Sequence, residues 1–500
     1  MDVYFELKRT VKQTLTYAFG TMATKLAGLI LVPLYTMYLA VSEYGTLGLI
    51  ELVLQITAVL GGLGLAPALI RWYSLAQSEQ SKRNLLFTTT AASIGTGATV
   101  FLLSLVISAP LAEFLFDPSS PEHLSRFTYY IRLVVLTAIF EFLLLVPLSL
   151  LRIQERAVLY SVVAVSRFAS LVVLNVALVA FFQLGIEGVL IGILLSTVLS
   201  FMVTVPYLRK NVQFGIQQTE LKEMLKYGVP VMGATLALIL LNLADRYLLT
   251  LLSTLESVGL YTLGYRIAGI IHLLFVNAFA LGFYPAIFKM TNRDERNAYL
   301  SKTFTYLTFL AFWSILTLSL FAPELLRLIV PNALYWEAEN VIFLLSVGFG
   351  FYGMFYILSM GFYLEKRTAY VSALIFGSAL FNIGLNILLI PQWDIIGAGV
   401  AKVLSYAALV ALTATFVHRI YPVHYRWGRI VIVLLCTGGL YGISFLWKDA
   451  AVWTNLALDV IASACFPLLL YLLRFFDNED LRRARRWISK VFTHSARKSP

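Results

Sequence analysis

The chain has 500 residues, 59% of them hydrophobic and only 13% charged, with a mean hydropathy of +0.81 and a formal net charge of +11. A soluble domain is roughly a quarter charged, so this composition excludes a soluble globular protein and, in spite of the basic balance, makes nucleic acid an unsuitable partner. The two cysteines, Cys436 and Cys465, lie inside apolar runs, which leaves no disulfide framework and no thiolate metal cluster.

Apolar runs long enough to cross a membrane, about 20 residues each, fall at approximately 13–39, 44–72, 85–109, 128–151, 157–182, 185–207, 223–252, 257–286, 303–326, 336–363, 369–390, 396–418, 429–447 and 452–474. These predict an all-α polytopic protein of fourteen spans. The first run is far longer than a signal-peptide core and has no small-residue cleavage site, so it is expected to stay as an uncleaved span. Every second connection is basic: Lys8/Arg9/Lys12, Lys82/Arg83, Arg152/Arg156, Arg209/Lys210, Lys289/Arg293/Arg296, Lys366/Arg367, Arg419/Arg426/Arg429 and the C-terminal tail. The alternate connections hold few cations, chiefly Arg126, Arg327 and Lys448. Cations concentrate on the cytoplasmic side of membrane proteins, which places both termini in the cytoplasm. In the tail, Leu481, Ala484, Ile488 and Val491 share a helical face opposite most of Arg482, Arg483, Arg485, Arg486 and Lys490. That pattern suits a helix lying on an anionic inner leaflet. No hydrophilic connection exceeds about 20 residues, so there is no room for a soluble catalytic domain.

The chain also repeats itself. At a lag of 211 residues, "QERAVLYS" (154–161) aligns with "EKRTAYVS" (365–372), and "LNVALVAFFQLGIEGV" (174–189) with "LNILLIPQWDIIGAGV" (385–400). At a slightly longer lag, "SEYGTLGLIEL" (42–52) pairs with "ESVGLYTLGYR" (256–266), and "PALIR" (67–71) with "PAIFK" (285–289). Spans 1–6 and 7–12 therefore read as two copies of one six-helix lobe, residues 1–210 and 211–425. Spans 13–14 (426–474) and a basic tail (475–500) are appended. Six spans is an even number, so both copies enter from the same side. Two such lobes around a central cavity form a transporter plan.

"NLADRYLLTLLSTLESVGLYTLGYRIAGI" in spans 7–8, "EYGTLGLI" at the start of span 2 and "LNILLIPQWDIIGAGVAKVLS" in spans 11–12 resemble the polysaccharide-transporter (Wzx-type flippase) branch of the multidrug/oligosaccharidyl-lipid/polysaccharide exporter superfamily. The resemblance covers essentially the whole chain. It implies a MATE-like fold with spans 1, 2, 7 and 8 around the cavity. It also implies that an undecaprenyl-pyrophosphate-linked oligosaccharide moves from the cytoplasmic to the outer leaflet of a bacterial or archaeal cell membrane by alternating access. The partners implied are the lipid-linked oligosaccharide, membrane lipids and other polysaccharide-assembly membrane proteins.

Five intramembrane cations stand out: Lys25, Arg167, Arg246, Arg266 and Lys402. Three of them, Lys25, Arg246 and Arg266, sit on spans that the resemblance places around the cavity, as do the acids Glu51 and Asp245. Charges within a membrane face a bundle interior or a wet cavity. Arginine's planar fork suits phosphate, and lysine acts as a compact point charge. Lys25, Arg246 and Arg266 are thus candidate pyrophosphate ligands. Equally, they can serve as structural partners of Glu51 and Asp245, in ion pairs that open when the ligand arrives. Asp245 and Arg246 are adjacent, and i,i+1 neighbours on a helix do not face each other, so they must look to different partners: Arg246 to the cavity, or Asp245 to a cation such as Arg266. Arg167 and Lys402 lie on spans that the resemblance places away from the cavity, which favours a structural role. Asn175 and its repeat counterpart Asn386 are expected to bond helix to helix. Gly188 and Gly399 are expected to allow close packing, and Arg71 and Lys289 to snorkel to headgroups.

His272 lacks a neighbouring carboxylate in sequence, which weakens a proton-relay role. There is no GxxxxGK[ST] loop and no cofactor motif, which leaves an ion gradient or the membrane potential as driving force. A cation-coupled drug exporter of the same fold should hold more acids than bases in its cavity. A peptidoglycan-precursor flippase is a nearer alternative. A membrane glycosyltransferase is disfavoured by the short longest outer connection, residues 109–128.

Overall fold

The computed structural model describes residues 28–116, 120–277, 283, 287–448 and 450–477. The candidate ligand Lys25 and the amphipathic tail from residue 478 onward lie outside the described residues. Among those described the regular structure is helical throughout. Hydrocarbon offers backbone N–H and C=O groups no water, so a spanning segment must satisfy them within itself.

In chain order the elements are α1 (Gly28–Tyr38), α2 (Val41–Gly62), α3 (Leu65–Leu75), α4 (Glu79–Phe116), α5 (Pro121–Ile153), α6 (Ala157–Asn175), α7 (Gly185–Asn211), α8 (Gln218–Leu252), α9 (Leu255–His272), α10 (Arg293–Leu320), α11 (Ala322–Ile329), α12 (Glu339–Leu358), α13 (Met360–Leu364), α14 (Thr368–Ile420), α15 (Trp427–Ser444) and α16 (Val452–Leu472). Among the described residues twelve helices are long and apolar enough to cross a membrane, with α2 and α3 counted as one, against fourteen spans predicted. Two facts account for the difference. Only Gly28 onward of the first predicted span is described. And α14, with 53 residues, contains two predicted spans joined at Asp394, whose φ of 50° and ψ of −127° interrupt the helix. At about 1.5 Å per residue, an unbroken α14 would exceed twice the roughly 30 Å hydrocarbon core. Asp394 also fastens this turn to the α8–α9 turn, accepting hydrogen bonds from Ser253 Oγ (2.6 Å) and Ser257 Oγ (2.7 Å).

Residues that the two aligned segments pair make tertiary contacts. Asn175 accepts a hydrogen bond from Tyr35 of α1 (2.9 Å), while Asn386 donates to Asp245 of α8 (2.8 Å). Each asparagine thus ties the fifth span of its copy to the first. Gly45 and Gly259, paired in the repeat, meet where α2 crosses α9. A Cβ on Gly45 would lie 2.0 Å from the Leu255 carbonyl oxygen and 3.0 Å from the Gly259 nitrogen, and one on Gly259 would lie 2.1 Å from the Val41 oxygen. Only hydrogen fits between these backbones. Beside the crossing, Tyr335 donates to the carbonyls of Leu39 (3.0 Å) and Ala40 (2.9 Å). These contacts join α2 and the residues just before it to α9 and Tyr335, at the end of the bundle opposite the basic connections. Gly45→Ala is expected to lower stability by about 1–3 kcal/mol, the usual cost of overpacking, measurable as a fall in thermal midpoint of the purified chain.

At the basic end, Asp477, beyond α16, pairs with Arg429 at 2.8 Å and with Arg426. Hydrogen bonds from Arg429 and Arg426 hold its carboxyl below the ordinary aspartate range. A depressed acid stabilises the fold above its unfolded pKa, about 3.9 for Asp, and loses that contribution as pH falls through the folded value. Asp477→Asn should therefore lower the thermal midpoint by a constant amount at neutral pH, with the difference closing as pH falls below the ordinary aspartate range and through the depressed value. A difference independent of pH would disprove the pairing.

Candidate functional site

Glu51 and Gln55 are one helical turn apart on α2. Thr235, Asn242 and Arg246 recur at seven and four residues along one face of α8, and α9 adds Tyr265, Arg266 and His272. These side chains line a cavity of about 420 Å³ between the three helices. A second cavity of about 380 Å³ shares Gln55 and Thr235 with it and extends the cleft to Gly64, Pro67 and Glu141. It reaches the break between α2 and α3, where Leu63 (φ 46°) and Gly64 (φ 65°) are both left-handed and Gly64 lies against Gly228 of α8.

Two guanidinium groups converge on one carboxylate. Arg246 Nη1 donates to Glu51 Oε2 (3.4 Å) and to the Gly48 carbonyl (3.1 Å), and Arg266 Nη2 donates to Glu51 Oε1. The Arg246 and Arg266 side chains are 3% and 12% exposed, against 25% for Glu51, so the cations are held in the wall and the acid stands nearer the opening. Aromatic rings supply the rest of their surroundings. Arg246 lies 5.0 Å from the Tyr265 ring centroid, and Arg266 5.1 Å from Tyr44 and 5.8 Å from Tyr35, within cation–π range. Arg246 Nε is buried with no hydrogen-bond partner. Arginine does not lose its proton in proteins, so two fixed cations against one acid leave the centre with surplus positive charge.

Asp245 is not part of this cluster, and its expected turn towards Arg266 is corrected by the structure. It is wholly buried on another face of α8 and pairs with Lys402 of α14, also wholly buried. Tyr261 donates to Asp245 Oδ2 (2.6 Å) and Asn386 to Oδ1 (2.8 Å), while Lys402 also donates to the Asn242 carbonyl (2.9 Å). Every oxygen of the carboxylate is therefore engaged. Arg167 pairs with Glu141 of α5 and donates to Thr197 at 3.3 Å.

Glu141 and Arg132 both lie in the fourth span, and the sequence reading passed over them. Arg132 donates to Ser108 at 3.0 Å. A census of every charge inside the predicted spans would have found both. His272 lines the cavity against the rings of Phe349 and Tyr352.

The sequence profile of a family described as polysaccharide biosynthesis protein matches residues 10–291, more than half of the chain. The chain belongs to the polysaccharide biosynthesis protein family. A protein of the Lsg locus of Haemophilus influenzae is 23% identical over 416 residues, covering 81% of this chain and 92% of that relative. Among solved structures, the lipid II flippase MurJ in an inward closed conformation superposes with a TM-score of 0.75 at 15% identity, over 92% of this chain and all of that one. A mutant form of the Vibrio cholerae MATE transporter VcmN gives 0.56 at 17% identity, over 82% and 97% of the two chains. At such identities these likenesses show the fold. This family member is a multi-pass membrane protein with the all-α architecture shared by MurJ and the MATE transporters.

Proposed function

We propose that the chain flips an undecaprenyl-pyrophosphate-linked oligosaccharide from the cytoplasmic to the outer leaflet by alternating access, in surface polysaccharide biosynthesis. The observation that carries this reading is the pair of arginines, one buried and one nearly so, sharing Glu51 in a membrane-embedded cavity. A pyrophosphate offers two sets of oxygens for two guanidinium forks. It replaces Glu51 as the partner of Arg246 and Arg266, and Glu51 retakes them when the lipid leaves. Without these cations an anion in so low a dielectric would stand unpaired, at a large desolvation cost. Two copies, residues 1–210 and 211–425, move about the α2–α9 crossing, and the alternating basic connections put both termini in the cytoplasm of a bacterial or archaeal cell.

Across the wall formed by Leu52, Ile239 and Leu243, an apolar groove of about 450 Å³ runs along Leu240, Ala244 and Tyr247 of α8 and Leu103 and Ile107 of α4. It adjoins the cavity that takes the polar head, and the prenyl chain lies there. Ala244→Trp should fill it and slow transfer several-fold without altering insertion.

The reading assigns no catalytic step and no cofactor to the chain. The cavity's arginine excess also argues against export of cationic drugs. Leaflet-to-leaflet transfer of a labelled undecaprenyl-pyrophosphate glycan in proteoliposomes tests the whole reading. Transfer by the wild-type chain is expected, and no transfer together with intact drug efflux would sink it.

A further inference from the structure

We infer that a separate cavity, between α10, α11 and α16 at the end of the bundle opposite the basic connections, binds a sugar residue. The cavity holds about 280 Å³, whereas a single water needs only ~10–15 Å³. Its framework is already bonded: Lys448 pairs with Glu339 at 2.8 Å, Trp447 Nε1 donates to Asp459 at 3.1 Å, and Asn455 Nδ2 donates to the Lys448 carbonyl at 3.1 Å. Three further atoms on its wall are not. Ser319 Oγ, Asn455 Oδ1 and Glu324 Oε2 are buried without a hydrogen-bond partner, on residues of which Ser319 is 5% and Asn455 9% exposed. Leaving such a group unsatisfied is costly, so the three together point to a missing partner.

The chemistry of that partner follows from the atoms. An amide oxygen and a carboxylate accept hydrogen bonds and cannot donate them, and a hydroxyl does either. The ligand must bring donors, and an anion such as phosphate brings too few. Among the described residues no group of three or more His, Cys, Asp or Glu side chains is placed to hold a metal ion, and one ion would leave most of the space empty. A pyranose supplies several hydroxyl donors on one body, with an apolar face for the ring surface of Trp447 and Tyr441. The choice of a sugar among hydroxyl-rich ligands rests on the flippase reading, which brings a glycan to this side of the membrane.

Saturation-transfer NMR of the full chain in lipid nanodiscs, with methyl glycosides of glucose, galactose and N-acetylglucosamine as probes, tests the site. A saturable signal is expected from at least one glycoside, reduced at least fivefold in Glu324→Gln or in Ser319→Ala, each a small change checked for unaltered elution. No saturable signal from any of the three, or a signal unchanged in both variants, overturns the inference. Sugar binding intact in a chain that shows no leaflet transfer would remove the flippase reading and leave this site standing. Transfer intact without sugar binding would do the reverse.

Discussion

Arg246→Ala and Arg266→Ala are each expected to lower leaflet transfer of a pyrophosphate-linked glycan by about tenfold or more, in a chain that still inserts and elutes as the wild type does. Truncating one member of a buried, hydrogen-bonded charge pair costs about 2–5 kcal/mol, and every 1.4 kcal/mol is tenfold. Both arginines share Glu51, so removing one leaves a neutralised pair instead of an orphaned acid, which is why folding should survive. The same step removes the surplus positive charge that draws in the anion. Lysine in either place should restore charge but not the fork, and recover only part of the rate. Glu51→Gln separates this from a purely structural role. Freed of their carboxylate, the arginines should hold the lipid pyrophosphate more tightly while turnover falls, whereas a structural clamp would show as loss of folded protein. Unimpaired transfer in both alanine variants would remove the site assignment.

Lys402→Ala is expected to be the most destabilising single change in the membrane domain. It strands the Asp245 carboxylate, wholly buried, with only the Tyr261 and Asn386 donors. Breaking a buried ion pair from one side costs about 3–5 kcal/mol, and replacing both partners by neutral groups of similar size costs far less. The double variant Asp245→Asn with Lys402→Met should therefore recover most of the thermal stability lost by Lys402→Ala, measured as unfolding midpoints of purified chains. A double variant no more stable than the single one would show that the pair is not what holds α8 against α14. The prediction differs in kind from the first, because both members of this pair are wholly buried, whereas Glu51 stands partly open to the cavity.

The fold class was legible because hydrocarbon imposes it. Runs of about 20 apolar residues have one backbone solution, and the alternation of basic connections followed from where cations are tolerated. Gly45 and Gly259, which occupy matching positions in the aligned segments, meet where α2 crosses α9. The split of α14 at Asp394 was anticipated as two spans, although the broken helix is continuous in hydrogen bonding on either side. Arg246 facing the cavity was one of two options left open by its neighbour.

Partners were a different matter. Asp245 finds Lys402, 157 residues away, and Glu51 finds Arg246 and Arg266, 195 and 215 residues away. Periodicity gives the face of a helix on which a side chain lies, since adjacent residues diverge by about 100°, but not which helix packs on that face. By itself the sequence determined that the chain crosses a membrane many times as helices and buries charges that need company. The tertiary structure decided which charges keep each other company. Coulomb attraction in a medium of low dielectric acts over a few ångströms, and only packing brings groups so distant in the chain within that range.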